Sequence, residues 1–154
     1  MTDKCEGGCA CSAVRFEITS PPMFVHCCHC RECQRHSGSA FVINALIETA
    51  NIRQLSGKAE PVSVPTNSGG PHDIYHCCVC QTALWSDYGR RAAMRFLRVG
   101  TLDDPTLLPP DVHIFTRSKL PWVTLPENTP VFPVYYDVKS LWPADSLVRR
   151  AALQ

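Results

Sequence analysis

Apolar and polar residues alternate, or β-branched residues cluster, over residues 14–18, 41–46, 61–64, 74–77, 95–99 and 112–115, each stretch bounded by Gly, Pro, Ser or Asn. A two-residue period puts successive side chains on opposite faces of a strand, so these segments predict short strands. No segment sustains a 3.6-residue apolar period for more than a few turns, and thirteen prolines spread along the chain oppose long helices. A late stretch, residues 140–153, predicts a short helix. The run TNSGGP at 66–71 has the composition of an exposed turn and separates seven cysteines from three. We read a single mainly β domain, residues 1–154, whose two cysteine-bearing parts come together in space.

At 154 residues and 45% hydrophobic content the chain can bury a core without cross-links, so its ten cysteines are not needed as staples. The amino terminus, MTDKCEGGCACSAVRFE, is charged and broken by Gly7 and Gly8, with no apolar run suited to a secretory signal. A cytoplasmic location is therefore expected. In that reducing setting, clustered cysteines at short fixed spacings point to metal ligands or catalytic thiols rather than disulfides. Formal net charge is +1 with basic residues scattered, so no nucleic-acid partner is expected. No apolar stretch approaches the roughly 20 residues that span a bilayer, so no membrane partner is expected either. Arg31, Arg35 and His36 form a local basic cluster beside the cysteine run HCCHCREC at 26–33, as a solvated face or as a hold on an anionic substrate.

The cysteines fall into pairs and a triple. Cys9 and Cys11, read as i and i+2 on a strand, point to one side, and a C-x-x-C turn brings Cys77 and Cys80 together while Cys78 points elsewhere. Joined, the two pairs make the closed four-thiolate set of a structural zinc. Cys28, Cys30 and Cys33 can wrap three sulfurs around one ion and leave a fourth position open, the arrangement of catalytic zinc. Three thiolates make that centre formally anionic, which suits a soft thiolate substrate better than water activation. A fourth protein ligand would close it. Cys27, adjacent to Cys28, and His29, on the opposite face between two ligands, are poor candidates, which leaves His36 and Cys5 ahead of His26.

These motifs resemble the glutathione-dependent formaldehyde-activating enzymes and their relatives, which include centromere protein V. GGCACSAVRFE (7–17) is similar to that family's G-x-C-x-C-G-x-V-R-F-E, CHCRECQRHSG (28–38) to its C-H-C-x-x-C-R-x-x-x-G, and HCCVCQTALW (76–85) to its F-C-x-x-C-G-x-x-L-W. VGTLDDP (99–105) and HIFTRSKLPWV (113–123) resemble later segments. The resemblance runs over residues 7–133, leaving 134–154 as a C-terminal extension. It implies a β-tent fold of small antiparallel sheets organised around zinc, with the same division into a structural tetrad and a catalytic triple. It also implies addition of glutathione to formaldehyde to give S-hydroxymethylglutathione, a carbon–sulfur lyase reaction in reverse. Three positions depart from the pattern: Ser12 and Gln81 stand where glycines are expected after the structural pairs, and Gln34 where an arginine follows the last catalytic cysteine. Arg31 or Arg35 are the candidates to replace that arginine as a hold on a glutathione carboxylate.

The function expected is that of an enzyme with two Zn²⁺ per chain, adding glutathione or a similar small thiol to an aldehyde. His29 and His36 are its nearest proton carriers. The alternatives are a non-catalytic zinc module presenting a β surface to a protein, and redox sensing through Cys27 and Cys28. Trp85, Trp122 and Phe115 are expected in the core, His113 as a satisfied core histidine, and Asp103 and Asp104 in a turn or cap before Pro105. Cys5, Cys27 and Cys78 are expected to be extra thiols without a metal.

Overall fold

The computed structural model describes residues 5–154. Residues 1–4, which open the charged amino-terminal stretch, lie outside it. The ten strands among the described residues are β1 (Cys5–Gly8), β2 (Arg15–Ile18), β3 (Phe24–Cys28), β4 (Val42–Glu48), β5 (Ile52–Ser56), β6 (Ala59–Ser63), β7 (His72–Cys77), β8 (Ala83–Tyr88), β9 (Met94–Arg98) and β10 (Val112–Ile114). The helices are α1 (Arg31–Ser37), α2 (Val138–Leu141) and α3 (Ala144–Ala151). The protein is mainly β, as its alternation predicts. One sheet has the order β1-β2-β5 and the other β10-β3-β4-β9-β8-β7-β6. Every pairing is antiparallel except β10 with β3, which run parallel.

All six predicted strands are present with ends shifted by a few residues. Four others carry weaker sequence signals: β1 is half glycine, β5 alternates little, β3 is buried at every position, and β8 at four of six. A strand covered on both faces loses the alternation that would reveal it. The late helix is two helices, because Trp142 has an extended backbone and Pro143 follows it.

The sheets meet over Phe16, Val14, Ile47, Leu84, Leu97 and Val99, with Trp85 packed edge-on to Phe16 at 5.7 Å. Each such large side chain contributes about 1.5–3 kcal/mol of burial. Gly7 permits the close approach of β1 to the segment after β9, since a Cβ there would lie 2.5 Å from the Thr101 carbonyl oxygen. A second cluster gathers Met23, Phe24, Leu46, Val112, Ile114, Tyr136 and Trp142, so the C-terminal extension seals one face of the larger sheet. Phe24 stacks on Trp142 at 5.3 Å, and Ser146 donates to the Met23 carbonyl. Trp122 corrects the core expectation: it is 73% exposed. It follows Pro121 in a segment without strand or helix, where no sheet face covers it. Phe115 is half-buried against the second cluster, and Trp85 is buried as expected. Asp104 caps a single 3₁₀ turn at Pro105–Leu107, while Asp103 takes a two-point contact from Arg15. Among the described residues, no helix is long and apolar enough to cross a membrane.

Arg149 ties α3 to β4 by two charge-assisted bonds, Nε to Glu48 Oε1 at 2.7 Å and Nη2 to Oε2 at 2.6 Å. Hydrogen bonding to Arg149 lowers the Glu48 pKa, so this stabilisation is present above the ordinary carboxylate range and is lost as pH falls through the lowered folded-state pKa. Arg149→Met should destabilise the protein at neutral pH by about 1–2 kcal/mol, allowing for partial exposure of the pair. Denaturant melts at falling pH should show the difference shrinking once Glu48 is protonated. A difference independent of pH would assign the effect to packing alone.

Candidate metal centre

The first cysteine group forms where the β1–β2 loop meets the β7–β8 loop. Cys9, Cys11, Cys77 and Cys80 offer four sulfurs all within 4.8 Å of one another. Cys9 and Cys11 lie in the turn after β1, not on a strand, so their convergence comes from the turn rather than from strand alternation. Their sulfurs are 3.5 Å apart, and Cys11 Sγ is 3.9 Å from Cys77 Sγ. Backbone N–H groups of Val14 and Val79 donate to Cys9 and Cys77 sulfur, at 3.2 and 3.4 Å. Thr82 links the loops: its Oγ1 is 3.1 Å from Cys80 Sγ and accepts from the Ala10 N–H at 3.1 Å. Hydrogen bonding to Thr82 pulls the Cys80 thiol down to about 5. Four close sulfurs, two of them already supplied with N–H donors, form a closed donor set for a tetrahedral, thiophilic cation.

Ser12 and Gln81 each close one of these loops in the left-handed region, at φ 64° and 63°. Their N–H groups return to the carbonyls of Cys9 and Cys77. These are the positions where the resemblance expects glycine, and the backbone geometry gives the reason.

The second group joins the end of β3 to α1. Cys28 ends the strand, Cys30 caps the helix with its sulfur accepting from the Cys33 N–H at 3.3 Å, and Cys33 lies within α1. The three sulfurs lie within 4.8 Å of one another, and among the described residues no fourth His, Cys, Asp or Glu joins them. Crowding sets their protonation. Hydrogen bonding from Cys28 pulls Cys30 down to about 2, while the same contact pushes Cys28 up. Cys33 goes up to about 12, because the lowering contact with Cys28 is outweighed by Cys30 and burial. A bound cation would favour release of the protons that crowding and burial hold on Cys28 and Cys33.

Arg98, on β9, is a candidate site residue that spacing could not find. Burial lowers its pKa, and the fields of Cys33, Cys28 and Cys30 oppose that shift, which places its charge beside the trithiol group. Its Nη1 donates to Asn44 Oδ1 at 2.5 Å, holding it across the β4–β9 pair. Its only sequence signal is its place directly before VGTLDDP. Arg98 also lines a cavity of about 480 Å³ with His36, Ser37, Phe41, His76 and Gln81. Gln34, where an arginine was expected, is buried: its Nε2 donates to the carbonyls of His29 and Ser118, and its Oε1 accepts from Arg31. Arg31 and Arg35 are exposed on α1.

The histidines divide. His36 is half-buried on the cavity wall, 5.7 Å from the ring of His72. His26 is buried with Nε2 2.5 Å from Tyr136 Oη, and Cys5 packs into the first core cluster, so neither joins the trithiol group. Cys78 is exposed. His29 is fully buried and belongs to a third group, Cys27, His29 and His113, whose ligand atoms also lie within 4.8 Å. His113 is buried and paired through Nδ1 with His29 Nε2, as expected of a core histidine, and Cys27 lies beside that pair.

A model of the family described as "Glutathione-dependent formaldehyde-activating enzyme" matches residues 4–118. A protein of Halomonas elongata named "Putative glutathione-dependent formaldehyde-activating enzyme" is 27% identical over 125 residues, covering 78% of this chain and 80% of that protein. A crystal structure of a Rhodobacter sphaeroides protein, a structural-genomics target, superposes with a TM-score of 0.48 at 15% identity, covering 82% of this chain and 98% of the other.

A side chain in the left-handed region costs about 1 kcal/mol relative to glycine. Gln81→Gly should therefore raise stability by about that amount without altering the cysteine geometry, as read in thermal melts. A lower melting temperature would mean that the Gln81 side chain holds the loop.

Proposed function

Because this chain belongs to the glutathione-dependent formaldehyde-activating enzyme family, we propose that it adds glutathione or a similar small thiol to an aldehyde, as a zinc-dependent enzyme of carbon–sulfur lyase type. The observation that carries this reading is the gathering of Cys28, Cys30 and Cys33 without a fourth protein ligand among the described residues, beside Arg98. Three close thiols fit Zn²⁺, and Cys9, Cys11, Cys77 and Cys80 fit a second, structural Zn²⁺. We assign residues 1–154 to one unit and place it in the cytoplasm, where glutathione is abundant and thiols stay reduced.

When bound at Cys28, Cys30 and Cys33, zinc supplies a position at which a substrate thiol ionises at neutral pH. The chain's own residues do the rest. Arg98 offers a half-buried cation to a substrate carboxylate, whereas Arg31 and Arg35, exposed on α1, are not among the residues that line its cavity. Phe41 gives the cavity an apolar wall against which a small aldehyde loses water. His36, on that wall, takes up the proton released by the thiol and returns it to the alkoxide formed when sulfur adds to the carbonyl carbon. His29 is less suited to that exchange, since it is fully buried and faces His113 and Cys27.

Cys80→Ser should unfold or strongly destabilise the protein, because a structural site contributes folding free energy directly, whereas Cys30→Ser should be milder. The reverse order in thermal melts would overturn the division of the two sites.

Reduced glutathione should bind with proton release near neutral pH, since a thiol of pKa about 8.5 must ionise to coordinate. Calorimetry in two buffers of different ionisation enthalpy measures that proton. Cys33→Ala should abolish binding and release together, and oxidised glutathione should bind weakly. Arg98→Gln should weaken binding by about tenfold while keeping proton release. Equal binding of both glutathione forms would mean that the peptide, not the sulfur, is recognised. No binding of any small thiol would favour a non-catalytic module.

A further inference from the structure

The run HCCHC at 26–30 serves two faces of one strand edge. Cys28 and Cys30 belong to the trithiol group, while Cys27 and His29, offset by one residue, belong to the third group. Strand β10 completes the third group. It pairs in parallel with β3 so that His113 stands opposite Cys27, and the His29 N–H donates to the Ile114 carbonyl, which extends the alignment by one step. Cys27 Sγ is 3.6 Å from His29 Nε2, and His29 Nε2 is 2.9 Å from His113 Nδ1.

Two ordinary readings of this cluster fail. It is not a nucleophilic Cys–His pair, because Cys27 is 1% exposed and His29 0%, which bars any organic substrate. Nor is it a set of satisfied core groups. His29 Nε2 is the nitrogen placed against both Cys27 Sγ and His113 Nδ1, and with one proton or one lone pair it cannot serve both contacts, while the other ring nitrogen, Nδ1, is buried with no hydrogen-bond partner. Lys119, whose charge lies near His29, directs its Nζ to the carbonyls of Leu120 and Val123 rather than to this cluster. What remains is one sulfur and two imidazoles from two chain segments, already near the mutual spacing of ligands around a single small ion.

We propose that Cys27, His29 and His113 form a further metal site for a borderline-soft divalent cation of the Zn²⁺ class. One thiolate and two neutral imidazoles select such an ion over Mg²⁺ or Ca²⁺, which prefer oxygen. Bound there, it would join β10 to β3 through side chains as well as backbone, on the strand that ends in Cys28. The site shares no ligand with either group of the proposed function and stands or falls without it.

Cadmium NMR of the intact protein, with cadmium in excess, tests this. Three resonances are expected: two from the thiolate-rich groups and a third, shifted toward nitrogen ligation, that disappears in Cys27→Ser and in His113→Ala while the first two persist. A wild-type spectrum without the nitrogen-ligated resonance overturns the proposal, and so does one that survives both substitutions. If either variant does not fold, the imidazole nitrogen shifts of His29 and His113 in the wild-type chain decide. They move on binding if the ion sits there, and shifts that stay in place overturn the assignment. The thiolate-rich resonances separately report on Cys9, Cys11, Cys77 and Cys80 and on Cys28, Cys30 and Cys33, so failure of either reading is distinguishable from failure of the other.

Discussion

The meeting of the β1–β2 loop with the β7–β8 loop at four sulfurs is the constraint on which the rest of this architecture depends. Cys11 and Cys77 are 66 residues apart in sequence, yet their sulfurs lie 3.9 Å apart. Closing so long a loop carries an entropic penalty that small turns cannot offset alone. Several contacts act at this junction. Thr82 bridges the loops, N–H groups aim at the sulfurs, and the core around Phe16, Leu84 and Trp85 lies beside them. The three-stranded sheet is thereby held against the larger one, and β8 and β9 are fixed where Arg98 can reach toward the trithiol group.

Period-two alternation then does the sorting that composition leaves open. The cysteines and histidines of 26–30 are nearly indistinguishable as residue types, but adjacent side chains on extended backbone diverge. His26 turns to Tyr136, Cys27 and His29 to His113, and Cys28 and Cys30 to Cys33. Separation of neighbouring ligands is why Cys27 and His29 could be set apart from the trithiol group on sequence alone. Their partner could not be named that way, because it arrives on β10, whose register with β3 is a tertiary fact.

Legibility followed the same line. Strands exposed on one face announced themselves by alternation, and the cysteine spacings named both sulfur groups, because turn geometry and strand period are local. The buried β3, the Pro143 break in the late helix and the exposure of Trp122 were not legible, since each depends on what packs against the segment. The positive φ at Ser12 and Gln81 was foreseeable from the glycines expected at their positions, whereas their tolerance here rests on the loop contacts around them. Arg98 stayed hidden for a different reason: an arginine in an alternating strand reads as a solvated face until the neighbouring strand shows what it meets.

Gln34 and Arg98 divide structure from charge beside the trithiol group. An arginine on α1 beside three thiols would bring its charge from the helix. Here Gln34 spends both ends of its amide on structure, joining α1 to the carbonyls of His29 and Ser118 and accepting from Arg31. A half-buried positive charge stands on β9, at Arg98. Burial alone would make a cation there unfavourable, but the thiolate field opposes that shift, so each stabilises the charged form of the other. A cation fixed to a strand and tied to Asn44 loses less freedom on meeting an anion than one on an exposed helix, where Arg35 lies. Around the three sulfurs, β3 brings Cys28, the start of α1 brings Cys30 and Cys33, and β9 brings the charge of Arg98.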